Sequence, residues 1–120
     1  PNNRWTGPSA VLVDSYSYSD ASIFPQAYQD FGVGPLVGDA IVNTGTYRSQ
    51  FNSRILPGYE YYIPTLPVRR LDGSFYENLT IQPDIHVPFD PNRTGINVDP
   101  QLEAAVDALM QRLGTDIECR

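Results

Sequence analysis

Apolar positions along the chain fall partly in short contiguous runs and partly at helical spacing. Residues 1–8 are polar and turn-rich, a lead-in loop with Trp5 as its one large anchor. Val11, Leu12 and Val13 are contiguous and predict a strand over residues 10–14, buried on both faces of a parallel or mixed sheet. Ile23, Phe24, Ala27, Tyr28 and Phe31 then recur at helical spacing, so a helix is expected to start between Ser19 and Ser22 and to end at Gly32 in a left-handed conformation. Pro25 is placed in the first turn, where no intrahelical acceptor goes unsatisfied. Leu36-Val37 and residues 40–42 read as a second strand pair interrupted by Gly38. Residues 47–58 have little periodicity and predict no element. Residues 59–70 are rich in Tyr, Ile, Thr and Val, but Pro64 and Pro67 confine a strand there to an edge or break it.

Asp72-Gly73 is a hairpin-turn signal, with a short return strand over 74–77 that ends on Glu77. Residues 84–87 form another short extended piece, and 88–95 a loop. The clearest element follows: Asp99 as N-cap, Pro100 at the first helical position, an apolar stripe of Leu102, Ala105, Val106, Leu109, Met110 and Leu113, and Gly114 as the stop. Alternating strands and helices without internal repeats argue for an α/β layered fold.

A strand that runs through a serine-rich turn into a helix can present a nucleophile. Backbone N–H groups at the helix start can stabilise a developing oxyanion beside a serine hydroxyl. Ser15, Ser17, Ser19 and Ser22 all lie in this turn. Serines there are ordinarily helix caps, and spacing does not choose among them.

Composition narrows the function. The net charge of -6 leaves no basic stripe, and the arginines are scattered among acids and tyrosines, so no nucleic-acid partner is expected. No apolar run approaches the roughly 20 residues of a membrane-spanning helix. The single cysteine, Cys119, has no internal disulfide partner and is expected to be inert; no metal and no cofactor are implied. At 120 residues the chain is long enough for one domain core.

The run from Val13 to Pro25, with Gln29-Asp-Phe-Gly32, Leu36-Val-Gly38, Tyr76-Glu-Asn78, Gln82-Pro-Asp-Ile85 and Gln101-Leu-Glu-Ala-Ala-Val106, resembles the nucleophile segment of the tail-specific (C-terminal processing) and tricorn-like serine proteases. The motifs keep their order over about residues 10–113. The resemblance implies a crotonase/Clp-protease-like α/β domain, of which residues 1–120 would be the C-terminal part. It registers Ser19 on the nucleophile, with the backbone N–H of Asp20 as one oxyanion donor and the Asp20 carboxylate no more than a cap. One branch of this family activates its serine with a lysine at the place where Asn43-Thr44-Gly45 stands. This sequence contains no Lys, and Arg stays protonated and cannot serve as a base. The tricorn-like branch pairs Ser with His and a Glu in a Glu-Asn motif before Pro-Asp, which Glu77-Asn78 and Pro83-Asp84 match.

His86, the one histidine, lies where family members have varied residues, and is read as a surface or packing residue. The base is therefore expected from an upstream segment. The activity implied is endopeptidase cleavage of polypeptide through an acyl-enzyme. The alternative is a non-catalytic binding protein on the same scaffold, like the retinoid-binding relatives of the interphotoreceptor matrix, with Ser19 as a mere cap. The partners expected are a polypeptide substrate, the upstream half of the domain and further copies of the chain. Asn78-Leu-Thr80 and Asn92-Arg-Thr94 are glycosylation sequons compatible with export, and an extracytoplasmic location is expected.

Overall fold

The computed structural model describes residues 5–93, 95 and 98–114. Cys119 and Thr94 of the second sequon lie outside them. Three parallel strands form the central sheet in the order β1 (Val11–Val13), β2 (Leu36–Gly38), β7 (Ile85–His86), with Val11 opposite Leu36 and Val37 opposite Ile85. Helix α1 (Asp20–Asp30) makes the crossover from β1 to β2, and α2 (Pro100–Leu113) packs against both of those strands. Strand β3 (Ile41–Val42) pairs antiparallel with β6 (Thr80–Ile81), and β4 (Thr46–Asn52) with β5 (Glu60–Pro67).

Side chains alternate across a strand, so Val13 and Leu36 share one face of the sheet while Leu12 and Val37 share the other. The first face closes over a core of Val13, Tyr28, Leu36, Ile41 and Ile81, with Val11 packed against it. Asp84 ties this layer together. Its Oδ2 accepts from the Leu36 amide at 2.8 Å, and its Oδ1 accepts from Gln29 Nε2 at 3.3 Å. Gln29 also donates to the Gln82 carbonyl at 3.1 Å, so four residues of the sequence motifs converge on one seam between helix and sheet.

Several expectations need correction. The strand at β1 is covered on one face only: Val13 is buried, but Leu12 remains 45% exposed because β1 is an edge strand and α2 covers it incompletely. Trp5 is exposed and anchors nothing beyond its own turn, donating from Nε1 to the Pro8 carbonyl at 3.2 Å. Phe24 and Phe31 point outward, and the buried face of α1 carries Ser22, Pro25, Gln26 and Tyr28 instead. Pro25 lies past the first turn, and α1 continues through it to Asp30. The left-handed Gly32 expected at the end of α1 is in place, one residue past the C-cap Phe31. Strands β2 and β3 do not pair with each other; they break at Gly38–Asp39 and enter different sheets. A hairpin strand, β4, occupies the stretch for which no element is expected, with the proline-bearing β5 as its partner. The return strand over 74–77 shrinks to a single bridge between Arg69 and Phe75. Helix α2 has the expected caps, with Asp99 accepting from the amides of Gln101 and Leu102 and Gly114 left-handed. Its apolar stripe is buried only at Ala105.

The molecule is elongated, about 69 × 39 × 27 Å with a radius of gyration of 18.9 Å, against about 14 Å for a compact chain of this length. Among the described residues no helix is long and apolar enough to cross a membrane.

Candidate active site

Ser19 is the N-cap of α1, with φ 59° and ψ -123°, a backbone conformation that residues other than glycine rarely adopt. Holding it there costs on the order of 1–3 kcal/mol, an expense that surrounding bonds must offset. They do so from both directions. The Ser19 amide donates to Thr44 Oγ1 at 3.0 Å. The Ser19 carbonyl accepts from the amides of Ser22 and Ile23 at 2.8 and 3.0 Å and from Ser22 Oγ at 2.8 Å. The backbone of Ser19 is thus pinned, while its own hydroxyl makes no capping bond to the helix. A strand, a strained turn and a helix start in this order also shape the nucleophile elbow of serine hydrolases.

The other serines separate cleanly. Ser22 is fully buried; its Oγ donates to the Ser19 carbonyl and accepts from the Thr44 amide at 3.2 Å, which makes it a brace under Ser19. Ser17 is held in a local turn, donating from Oγ to Asp14 Oδ1 at 3.1 Å. Ser15 is exposed, four residues before Ser19. At the helix start, Ala21 and Ser22 donate back to Tyr18 and Ser19, whereas the Asp20 N–H finds no acceptor among the described residues. That leaves it free to meet an anion at the positive end of the helix dipole. The Asp20 carboxylate does not cap the helix; its Oδ1 accepts from the Tyr47 hydroxyl at 3.4 Å.

Ser19 opens on a cleft of about 500 Å³ between the start of α1 and strand β4, whose walls include Ile23, Thr44, Tyr47 and Arg48. Glu77 is not among the residues lining it. Glu77 sits in the turn that the Leu79 amide closes onto the Tyr76 carbonyl at 3.4 Å, and Asn78 takes φ 60° there. An Asn after the Glu is what such a turn favours, since Asn tolerates positive φ better than most residues. Glu77 is half-buried, and its Oε2 accepts from the Gly45 amide at 3.0 Å. It is a tethered carboxylate between two segments and not a solvated hairpin residue. Gly45 has to be glycine: a Cβ there would lie 2.2 Å from Tyr76 Cβ.

The segment 43–45 therefore joins Ser19 to Glu77, Thr44 holding the first and Gly45 the second. The sequence gives Thr44 no role of its own; its only signal is the adjacent glycine at a close approach. Asn43, in the same segment, is fully buried, and its carboxamide finds no hydrogen-bond partner among the described residues. His86 is exposed at the end of β7, with Nε2 3.6 Å from Asp39 Oδ1, and does not line the Ser19 cleft. Away from the cleft, Arg70 makes a two-point contact with Asp30 at 2.7 and 3.2 Å, which pushes the guanidinium pKa further up. Burial, then nearby Asp30, raises the Tyr76 hydroxyl above its ordinary value.

The family model described as Peptidase family S41 matches residues 1–87. The tricorn protease of Thermoplasma volcanium is 27% identical over 119 residues, covering 94% of this chain and 11% of that protein. The tricorn protease of Thermoplasma acidophilum is 27% identical over 114 residues, with the same coverage. The chain thus spans about a tenth of the length of these relatives. The crystal structure of mature CPAF superimposes with a TM-score of 0.73 at 23% identity, over 98% of this chain and 23% of CPAF.

Proposed function

Because this chain belongs to peptidase family S41, we propose that it carries the nucleophile side of a serine peptidase active site, acting on polypeptide through an acyl-enzyme formed on Ser19. The observation that carries this reading is the strained backbone of Ser19, pinned by Thr44 and Ser22, with its hydroxyl left unengaged beside a cleft. Strain held in place by neighbouring bonds at a turn of this kind points to function and not to capping. The binding-module alternative needs Ser19 to serve as a cap, and its side chain makes no capping bond.

Under this proposal Ser19 Oγ attacks the scissile carbonyl, and the tetrahedral oxyanion accepts from the Asp20 N–H at the start of α1. A general base takes the Ser19 proton and returns it to the leaving amine; water then hydrolyses the acyl-enzyme by the reverse sequence. The base lies outside the described residues, since His86 is at the end of β7 and away from the cleft. Glu77 keeps one carboxylate oxygen on the Gly45 amide and orients the base with the other, directly or through an intervening hydroxyl. The parallel sheet β1-β2-β7 is continued by strands from an upstream half of one crotonase-like domain, which also brings the base. The tail-specific mode of cleavage belongs to the same proposal.

The test is hydrolysis of an unfolded protein by the full-length protein and its Ser19→Ala variant. Loss of hydrolysis with unchanged folding is expected; wild-type hydrolysis by Ser19→Ala would reject Ser19 as nucleophile.

A further inference from the structure

Arg48 stands in the same cleft as Ser19, and among the described residues it pairs with no carboxylate. The cleft's other charged group, Asp20, is engaged by the Tyr47 hydroxyl. The Arg48 guanidinium carbon lies 4.4 Å from the centroid of the Tyr62 ring. Stacking fixes the cation's position while using none of its N–H groups, so its planar fork of donors stays open to a ligand.

The ladder beside this side chain is irregular. Strand pairing slips between Tyr47, opposite Leu66, and Arg48, opposite Pro64, so Thr65 is an extra residue in β5. Such an irregularity bends the strand that carries it, here β5 with Tyr62, and Pro64, which has no N–H to contribute, suits it. Successive residues of a regular strand point to opposite faces, yet Tyr47 and Arg48 both line the cleft. An exposed arginine on a hairpin is ordinarily just solvated. Arg48 differs in being stacked and unpaired beside the proposed nucleophile; Arg70, by contrast, is satisfied by Asp30.

We infer that Arg48 is a specificity-determining residue that binds a carboxylate of the peptide next to the scissile bond. This rests on the peptidase reading, because Ser19 defines where that bond lies. The carboxylate can come from an Asp or Glu side chain or from the end of the chain, and the guanidinium fork takes either in the same two-point geometry.

The test uses the full-length protein with Ser19→Ala, so that binding is read without turnover. Fluorescence anisotropy compares a peptide amide containing a central Glu, the same amide with Gln, and the Gln peptide with a free C-terminus placed at the scanned position. A carboxylate-bearing peptide is expected to bind about tenfold more tightly than the Gln amide, an order set by a charge-assisted contact at a partly open site. The preference should vanish in Arg48→Gln and persist in weakened form in Arg48→Lys. Whichever acidic peptide shows the gain identifies the source. Equal affinities across the set, no binding of any peptide, or a preference that survives Arg48→Gln would overturn the inference. The same peptides are then offered to the protein with Ser19 intact: preference without hydrolysis would reject the peptidase reading and leave the carboxylate site standing.

Discussion

The amide of Ser19 donates to the hydroxyl of Thr44 at 3.0 Å, so the second residue past β3 holds the residue that opens α1. Thr44 also donates its own amide to Ser22 Oγ at 3.2 Å, and Ser22 in turn donates to the Ser19 carbonyl. The unusual backbone of Ser19 is thus set by a small ring of bonds across two elements. Thr44→Val keeps the shape and removes the hydroxyl. It should cost about 1 kcal/mol of stability and lower kcat by roughly tenfold or more, with KM little changed, because misplacing the nucleophile affects the reacting geometry and not ground-state binding. Thr44→Ser should restore both. Thermal unfolding with steady-state kinetics on the full-length protein checks this, and wild-type kcat in Thr44→Val would remove Thr44 from the site.

Glu77 gives a different separation of stability from activity. Glutamine can still accept from the Gly45 amide, so Glu77→Gln should leave stability within about 0.5 kcal/mol of wild type. Without the charge, an imidazolium or other protonated base is no longer stabilised, and kcat should fall by roughly a hundredfold or more. Unchanged kcat would leave Glu77 with only its tie to Gly45.

Next to it, Asn78 holds the turn at φ 60°. Asn78→Val should destabilise by about 1–2 kcal/mol, since a β-branched residue is poorly accommodated at positive φ, whereas Asn78→Gly should be nearly neutral. Equal melting temperatures for the two variants would contradict the turn geometry.

Local chemistry made some of this fold legible and interaction at a distance hid the rest. The caps of α2 could be read because Asp99, Pro100 and Gly114 act on their own helix. Strand β4 could not, because the β4–β5 arm is exposed on both faces and nothing selects an alternating pattern in it. In α1, the apolar spacing pointed to Phe24 and Phe31, but the buried face carries Ser22 and Gln26, which hydrogen-bond to Ser19 and Asp30. A site that must be braced by polar groups draws them inward against the hydrophobic pattern. The four serines were equivalent by spacing, and family resemblance chose Ser19. The backbone torsion that sets Ser19 apart arises from Thr44, 25 residues away.

Apolar surface on the elements around the sheet has a consequence for the isolated chain. Leu12 on β1 and Leu102, Val106 and Leu113 on α2 are all exposed. Surface of this kind, next to an unpaired sheet edge, favours association. Sedimentation equilibrium on the isolated 120 residues should therefore show oligomers or a bound companion; a stable, cooperatively folded monomer would mean that these residues need no further half of the domain.

The central claim is that Ser19 is an activated nucleophile whose base comes from outside this stretch. Labelling with a fluorophosphonate probe, read by mass spectrometry of the modified peptide, tests it most directly. The full-length protein should be labelled at Ser19, the Ser19→Ala variant should not be labelled, and the isolated chain should react no faster than an ordinary serine hydroxyl. Rapid labelling of the isolated chain, or labelling of the full-length protein at any serine other than Ser19, would contradict the account.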